Sequence, residues 1–214
     1  MLASAFVQAQ SDDSDRIRIG LLGGINAQNF FGKDFQGNEL ENDLFLGFHV
    51  GVNAQIPIAP EFYFQPGLLF STKGSKDTEN TVTTTYQLSY IELPMNLLYK
   101  GLLGEGYVMV GFGPYIGYGI KGRVSIDGDG SPNTDEDVEF TNSVGSTDPL
   151  TTPYFRAFDV GGNIFAGYEF ANGIFTQLNA QLGMIEINPE DNRFPGNKTA
   201  LKNIGFGLSL GYRF

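Results

Sequence analysis

The chain has no cysteine and no tryptophan, a single histidine, and only 13 Lys and Arg against 24 Asp and Glu. Without thiols there is neither a disulfide framework nor a zinc or iron–sulfur site built on thiolates, and the absence fits an exported protein. A formal net charge of −11 argues against nucleic acid, because phosphate binding needs a basic patch and none is visible. No uninterrupted apolar stretch approaches the ~18 residues of a membrane helix, so if this chain spans a membrane it does so with strands. One Gly-x-Ser-x-Gly string occurs, at Gly207 to Gly211, but it lies within an alternating strand-like segment and not at the strand-to-helix turn that exposes such a nucleophile, so it does not by itself point to an enzyme.

What is abundant is glycine, at 29 residues, and aromatic side chains, at 14% of a 214-residue chain. That length suits one substantial domain or two small ones. Eight segments alternate apolar and small or polar residues at period two, the strand signature: 16–30, 44–56, 62–73, 83–99, 107–124, 155–170, 174–187 and 201–214. Each is near or above the ~9 to 11 residues a tilted strand needs to cross a bilayer. The connections after the first, third, fifth and seventh are long and polar, and those after the second, fourth and sixth are short. An up-and-down barrel with one rim facing outward gives this alternation and leaves both chain ends at the short-turn rim. The expected fold is all-β, an eight-stranded antiparallel up-and-down transmembrane β-barrel over residues 16–214. Residues 1–15, "MLASAFVQAQSDDSD", read as a residual signal peptide or a disordered N-terminus.

The polar face decides which side looks outward. Opposite Leu44, Leu46, Phe48, Val50 and Val52 stand Phe45, Gly47, His49, Gly51 and Asn53, and opposite Phe206, Leu208 and Leu210 stand Gly205, Gly207, Ser209 and Gly211. A water-facing exterior favours Lys and Glu. Gly, Asn, Gln and Ser suit instead the crowded interior of a narrow barrel. The apolar parity therefore faces lipid. Pro66, which lacks a ladder donor, predicts a bulge or bend, and the broken parity near Ser89 predicts a bulge or the end of the lipid zone. Two aromatic girdles are expected: Phe62, Tyr99, Phe170, Tyr212 and Phe214 at the short-turn rim, and Phe30, Tyr118, Tyr154 and Phe158 at the long-loop rim.

The stretches "IRIGLLGGIN", "FYFQPGLLFSTKG", "YIELPMNLLYK", "VGFGPYIGYGI" and "GFGLSLGYRF" resemble, in order and spacing, the PorT-like outer-membrane β-barrel domain of Bacteroidetes-type bacteria. The resemblance runs from about Ile17 to Phe214, and Glu-Leu-Pro at 92–94 and Gly-Pro-Tyr at 113–115 are its most specific pieces. It implies an outer-membrane location and insertion by the outer-membrane assembly machinery, which would read the last strand through Phe206, Leu208, Leu210, Tyr212 and Phe214. The secretion role of the family's namesake does not follow from fold similarity.

Inward parity also holds Arg18, Lys73, Glu92, Lys121, Arg123, Asp159, Glu169 and Arg213. Unpaired burial of any of these is costly, so pairs are expected, Lys121 with Asp159 and Glu169 with Arg213. The bland reading is a polar plug and the functional one a narrow ion path; eight strands leave little more than side-chain room, which favours the plug. His49 reads as packed or hydrogen-bonded; catalysis would need a nucleophile, a base and an orienting group in mutual reach. Asp127, Asp129, Ser131, Asn133 and Asp135 have calcium-loop spacing, but Pro132 replaces the turn glycine and Val138 the bidentate Glu, so a solvated acidic loop is expected. Between Ser125 and Pro153 seven acids stand with no Lys or Arg.

These readings converge on a non-enzymatic barrel with a filled interior, no cofactor and no metal, in a structural, surface-contact or envelope-assembly role. Its partners would be outer-membrane lipid, the insertion machinery and an unidentified protein or ligand at the long loops. The alternatives are a narrow small-solute pore and a soluble lipocalin-like binder.

Overall fold

The computed structural model describes residues 16–128 and 134–214. The eight alternating segments form β1 (Arg18–Lys33), β2 (Asp43–Ala59), β3 (Phe62–Glu79), β4 (Val82–Leu103), β5 (Gly106–Gly128), β6 (Phe158–Glu169), β7 (Ile174–Gly183) and β8 (Ala200–Arg213). Each strand pairs antiparallel with its neighbour in sequence, and β8 returns to β1, so the ring closes. Closure removes the exposed edges that an open sheet would offer for aggregation. The start of β1 and the end of β8 meet at one rim, where the Phe214 N–H donates to the Ile19 carbonyl at 2.9 Å.

From β8 through β1 to β2 the pairing register preserves side-chain parity. Ile25 lies opposite both Phe48 and Leu208, and Leu21 opposite Val52 and Tyr212. These apolar residues point away from the axis: Leu46 is 74% exposed, Ile25 65%, Leu210 64% and Phe206 62%, while Gln55, Ser209, Lys73 and Asp159 are fully enclosed. A soluble ligand-binding barrel has the reverse arrangement, so the lipocalin-like alternative is excluded. Close packing at the small parity explains its glycines. A Cβ at Gly24 would stand 2.0 Å from the Leu208 carbonyl and 2.7 Å from the His49 ring.

The short-turn rim matches expectation. Its connections are tight turns with positive φ at Glu61, Gly104 and Gly173, the last needing 86°. The girdle there is also as expected, with Phe62 against Tyr99 at 5.4 Å and Tyr212 against Phe214 at 4.9 Å.

The opposite rim departs from expectation in instructive ways. The polar stretch after the third segment is no loop: β3 and β4 run on as a hairpin to a two-residue turn at Asn80 and Thr81. β3, β4 and β5 are 18, 22 and 23 residues long, roughly 10 more than a bilayer needs, or ~33 Å of extra strand. Thr134–Asp137 folds back on Arg123–Ile126, giving a four-stranded blade beyond the membrane. β7 ends at Gly183, not at Ile187: the N–H groups of Met184 and Ile185 both go to the Val160 carbonyl, which interrupts the regular ladder, and Ile187 is fully buried.

A bulge does occur near Ser89, but on the facing strand. Ser89 pairs with Lys121 and Tyr90 with Gly119, which leaves Ile120 as an extra residue in β5. One extra residue inverts parity beyond it. Lys121 and Arg123, expected inside, therefore point outward, and Leu88 and Val124 are inside. Pro66 produces no bulge: register is the same on either side, at Asn53 with Gly67 and Ile56 with Phe64. Phe30 faces inward at 4% exposure and Tyr154 belongs to the connection between β5 and β6, so of the four residues expected in the long-loop girdle Tyr118 and Phe158, 5.2 Å apart, remain.

Candidate functional site

From the short-turn rim upward, the lumen is a stack of layers, each built by the inward parity of several strands. The lowest gathers three cations around one carboxylate. Glu169 accepts from Arg18 Nη1 at 2.9 Å and Lys100 Nζ at 2.8 Å, with Arg213 Nε 3.6 Å away. Arg213 also donates to Asn53 and lies over the Phe175 ring. The expected Glu169–Arg213 pair is thus present. Lys100 is not among the charged residues expected inside, although the parity of Asn96 and Leu98 leads straight to it.

Above lies an apolar layer of Leu22, Leu98, Met109, Phe165 and Phe175. Over it sits a polar chamber of about 60 Å³, room for roughly two to four waters. His49 spans it. Its Nδ1 is 2.6 Å from Asn26 Oδ1 and its Nε2 is 2.7 Å from Ser209 Oγ. The amide oxygen can only accept, which fixes the tautomer with the proton on Nδ1. Asn179 Nδ2 donates to Ser209 at 2.8 Å and Asn26 Nδ2 to Ser71 at 3.3 Å, so one hydrogen-bonded chain ties β1, β2, β3, β7 and β8 together.

Serine, histidine and asparagine in this order are the nucleophile, base and orienter that catalysis would require. Ser209 is fully enclosed, and the adjoining chamber has room for only a few waters. As built, the cluster clamps five strands together.

The next layer is Lys73, with Glu92 Oε1 at 2.6 Å and Asp159 Oδ2 at 2.9 Å. Tyr115 and Asn203 also donate to Asp159, Gln181 donates to Glu92, and the Lys73 ammonium lies 4.2 Å from the Tyr115 ring centre. The expected Lys121–Asp159 pair does not form: the bulge at Ile120 turns Lys121 outward, and Lys73 takes its place. An apolar plug of Phe30, Leu88, Tyr90, Phe155 and Ile187 closes the mouth, with Leu40, Val138 and Phe140 packed against it.

The connections supplying that plug are themselves folded. Glu139–Phe140 runs parallel to Tyr154–Phe155, and Ser143–Val144 to Glu190–Asp191. Arg193 lies over Tyr154, donates to the Pro149 carbonyl at 2.5 Å and forks onto Asp191. The donation from Arg193 holds the Asp191 carboxyl below the usual carboxylate range. Phe35 meets Phe194 edge-on at 6.0 Å, joining the first long connection to the last. Of the acidic calcium-like spacing, Asp129, Ser131 and Asn133 lie outside the described residues, and Asp135 accepts from Arg123 at 3.3 Å. Among the described residues no group of three or more acidic or histidine side chains is placed to hold a metal. Phe206, Leu208, Leu210, Tyr212 and Phe214 form an unbroken outward stripe on β8, each 44–66% exposed.

Among solved structures, Ail of Yersinia pestis with the heparin analogue sucrose octasulfate is 12% identical, with a TM-score of 0.44 over 92% of this chain and 99% of that one. AlkL, solved by solid-state NMR in DMPC bilayers, is 14% identical, with a TM-score of 0.33 over 99% and 97%. Likenesses this distant add nothing to the fold. No curated protein matches the sequence. The family described as outer membrane protein beta-barrel domain matches residues 8–187. A closed ring with hydrocarbon-facing side chains outside and buried charge inside requires a bilayer, and the family match says which: the chain belongs to the outer membrane protein beta-barrel domain family and resides in the outer membrane.

Proposed function

We propose that this protein is a non-enzymatic, non-conducting barrel whose folded outer connections and blade make contacts at the cell surface or within an envelope assembly. The observation that carries this reading is the succession of seals along the axis: the Glu169 cluster, the apolar layer around Leu98, the Lys73 cluster and the plug around Tyr90. A solute path would have to break buried ion pairs and displace apolar side chains at several heights. The investment in order on the outer rim supports a contact surface, since a barrel that served only as an anchor would gain nothing from a blade. The finer likeness to PorT-like barrels of Bacteroidetes-type bacteria belongs to the same proposal, as does recognition of β8 by the insertion machinery.

Planar-bilayer recording tests the closed interior. The reading expects no discrete steps from the purified barrel across a range of voltage. Reproducible single-channel openings would establish the pore alternative in its place.

A further inference from the structure

The bulge at Ile120 has a chemical consequence on the outside of the barrel. On β4 the outward residues read Leu97, Met95, Leu93 and Ile91, then Ser89 and Gln87; on β5 they read Phe112, Pro114, Ile116, Tyr118 and the bulged Ile120, then Lys121 and Arg123. The change from apolar to polar falls at the same height on both strands, between the rung of Ile91 with Tyr118 and the rung of Ser89 with Lys121. The Tyr118–Phe158 pair marks that border as the outer membrane interface. Ser89 faces Lys121 and Gln87 faces Arg123, and these four with Gly122 line one shallow groove.

We propose that Lys121 and Arg123, with Gln87 and Ser89, bind phosphate groups on the headgroup of an outer-leaflet amphiphile. Two cations side by side are unusual in a chain of net charge −11, and they stand where headgroups begin. Guanidinium and ammonium groups recognise phosphate by charge-assisted hydrogen bonds, with the amide and hydroxyl as supplementary partners. Their aliphatic stems can lie along hydrocarbon while the heads reach polar groups. Directly below, Leu93 and Ile116 are 50% and 40% exposed and offer the acyl chains of the same molecule a continuous surface. That continuity selects a lipid over a free anion. Asp135 competes for Arg123, but both members of that 3.3 Å pair are about half exposed, and such pairs hold weakly. Among the described residues Lys121 has no ion-pair partner.

The test is native mass spectrometry of the full chain in neutral detergent, titrated with diphosphoryl lipid A. Lys121→Ala/Arg123→Ala is expected to bind the lipid about thirtyfold more weakly than the parent, the scale of two lost cations near a charged surface, and Lys121→Gln to an intermediate degree. Heat-dependent gel migration verifies that each variant is folded. Lys33→Ala/Lys198→Ala, with the same loss of charge elsewhere on the outer side, should bind like the parent, and millimolar inorganic phosphate should not displace the lipid. Equal retention by Lys121→Ala/Arg123→Ala and the parent overturns the site. Equal loss in the charge-matched control overturns its specificity, and displacement by inorganic phosphate overturns the lipid assignment.

Discussion

Replacing Lys73 with methionine is expected to destabilise the folded barrel by about 3–5 kcal/mol, the usual cost of removing one partner from a buried ion pair. Lys73, Glu92 and Asp159 are all at most 1% exposed, so no solvent takes over from the lost ammonium. The substitution keeps an unbranched side chain of nearly the same length, and removes the charge together with its contact to the Tyr115 ring. Donors from Tyr115, Asn203 and Gln181 remain, but they cannot neutralise two carboxylates. The combined variant Lys73→Met/Glu92→Gln/Asp159→Asn should recover most of the loss, because neutral amides need no counter-charge. Urea unfolding in lipid vesicles measures both. A Lys73→Met barrel as stable as the parent would mean that the three groups do not form the buried cluster described.

Deleting Phe214 is expected to lower the amount of folded protein in the outer membrane severalfold while leaving the finished barrel almost as stable as before. Phe214 is 66% exposed at the rim and its main protein contacts are the Tyr212 ring and one backbone hydrogen bond to Ile19. A single such bond contributes about 1 kcal/mol, which cannot account for failure to fold. If β8 is read by the insertion machinery as proposed, the loss appears in cells and not on refolding into vesicles. Equal yields in cells would remove the proposed signal. A parallel loss in vesicles would assign the effect to stability and not to recognition.

Much of this architecture was legible because a strand with lipid on one side and a crowded lumen on the other must alternate strictly. β2 and β8 show it in nearly every residue. The blade was not legible for the complementary reason: beyond the bilayer neither face needs to be apolar, so "GSKDTENTV" carries the composition of a loop while continuing the ladder. The bulge at Ile120 was visible only as a disturbance on its partner strand, and that misplacement turned Lys121 and Arg123 to the wrong side. Ion-pair partners across the lumen depend on the stagger of the whole ring, which no single segment encodes, so Lys73 was assigned its parity but not its partners. The same holds for Ser209, His49 and Asn26, drawn from three strands. Phe155 and Ile187 read as the beginning and end of strands, whereas the plug needed apolar side chains from the connections.

The central claim is orientation, and NMR cross-relaxation between methyl groups and lipid acyl chains in a bilayer tests it without altering a residue. The account predicts cross-peaks from the methyls of Ile25, Leu46, Leu208 and Leu210 to acyl protons, and none from Leu88, Leu98 or Ile187, which are fully buried. Acyl cross-peaks from Leu98 together with silence from Leu208 would show that the barrel is turned inside out relative to this description.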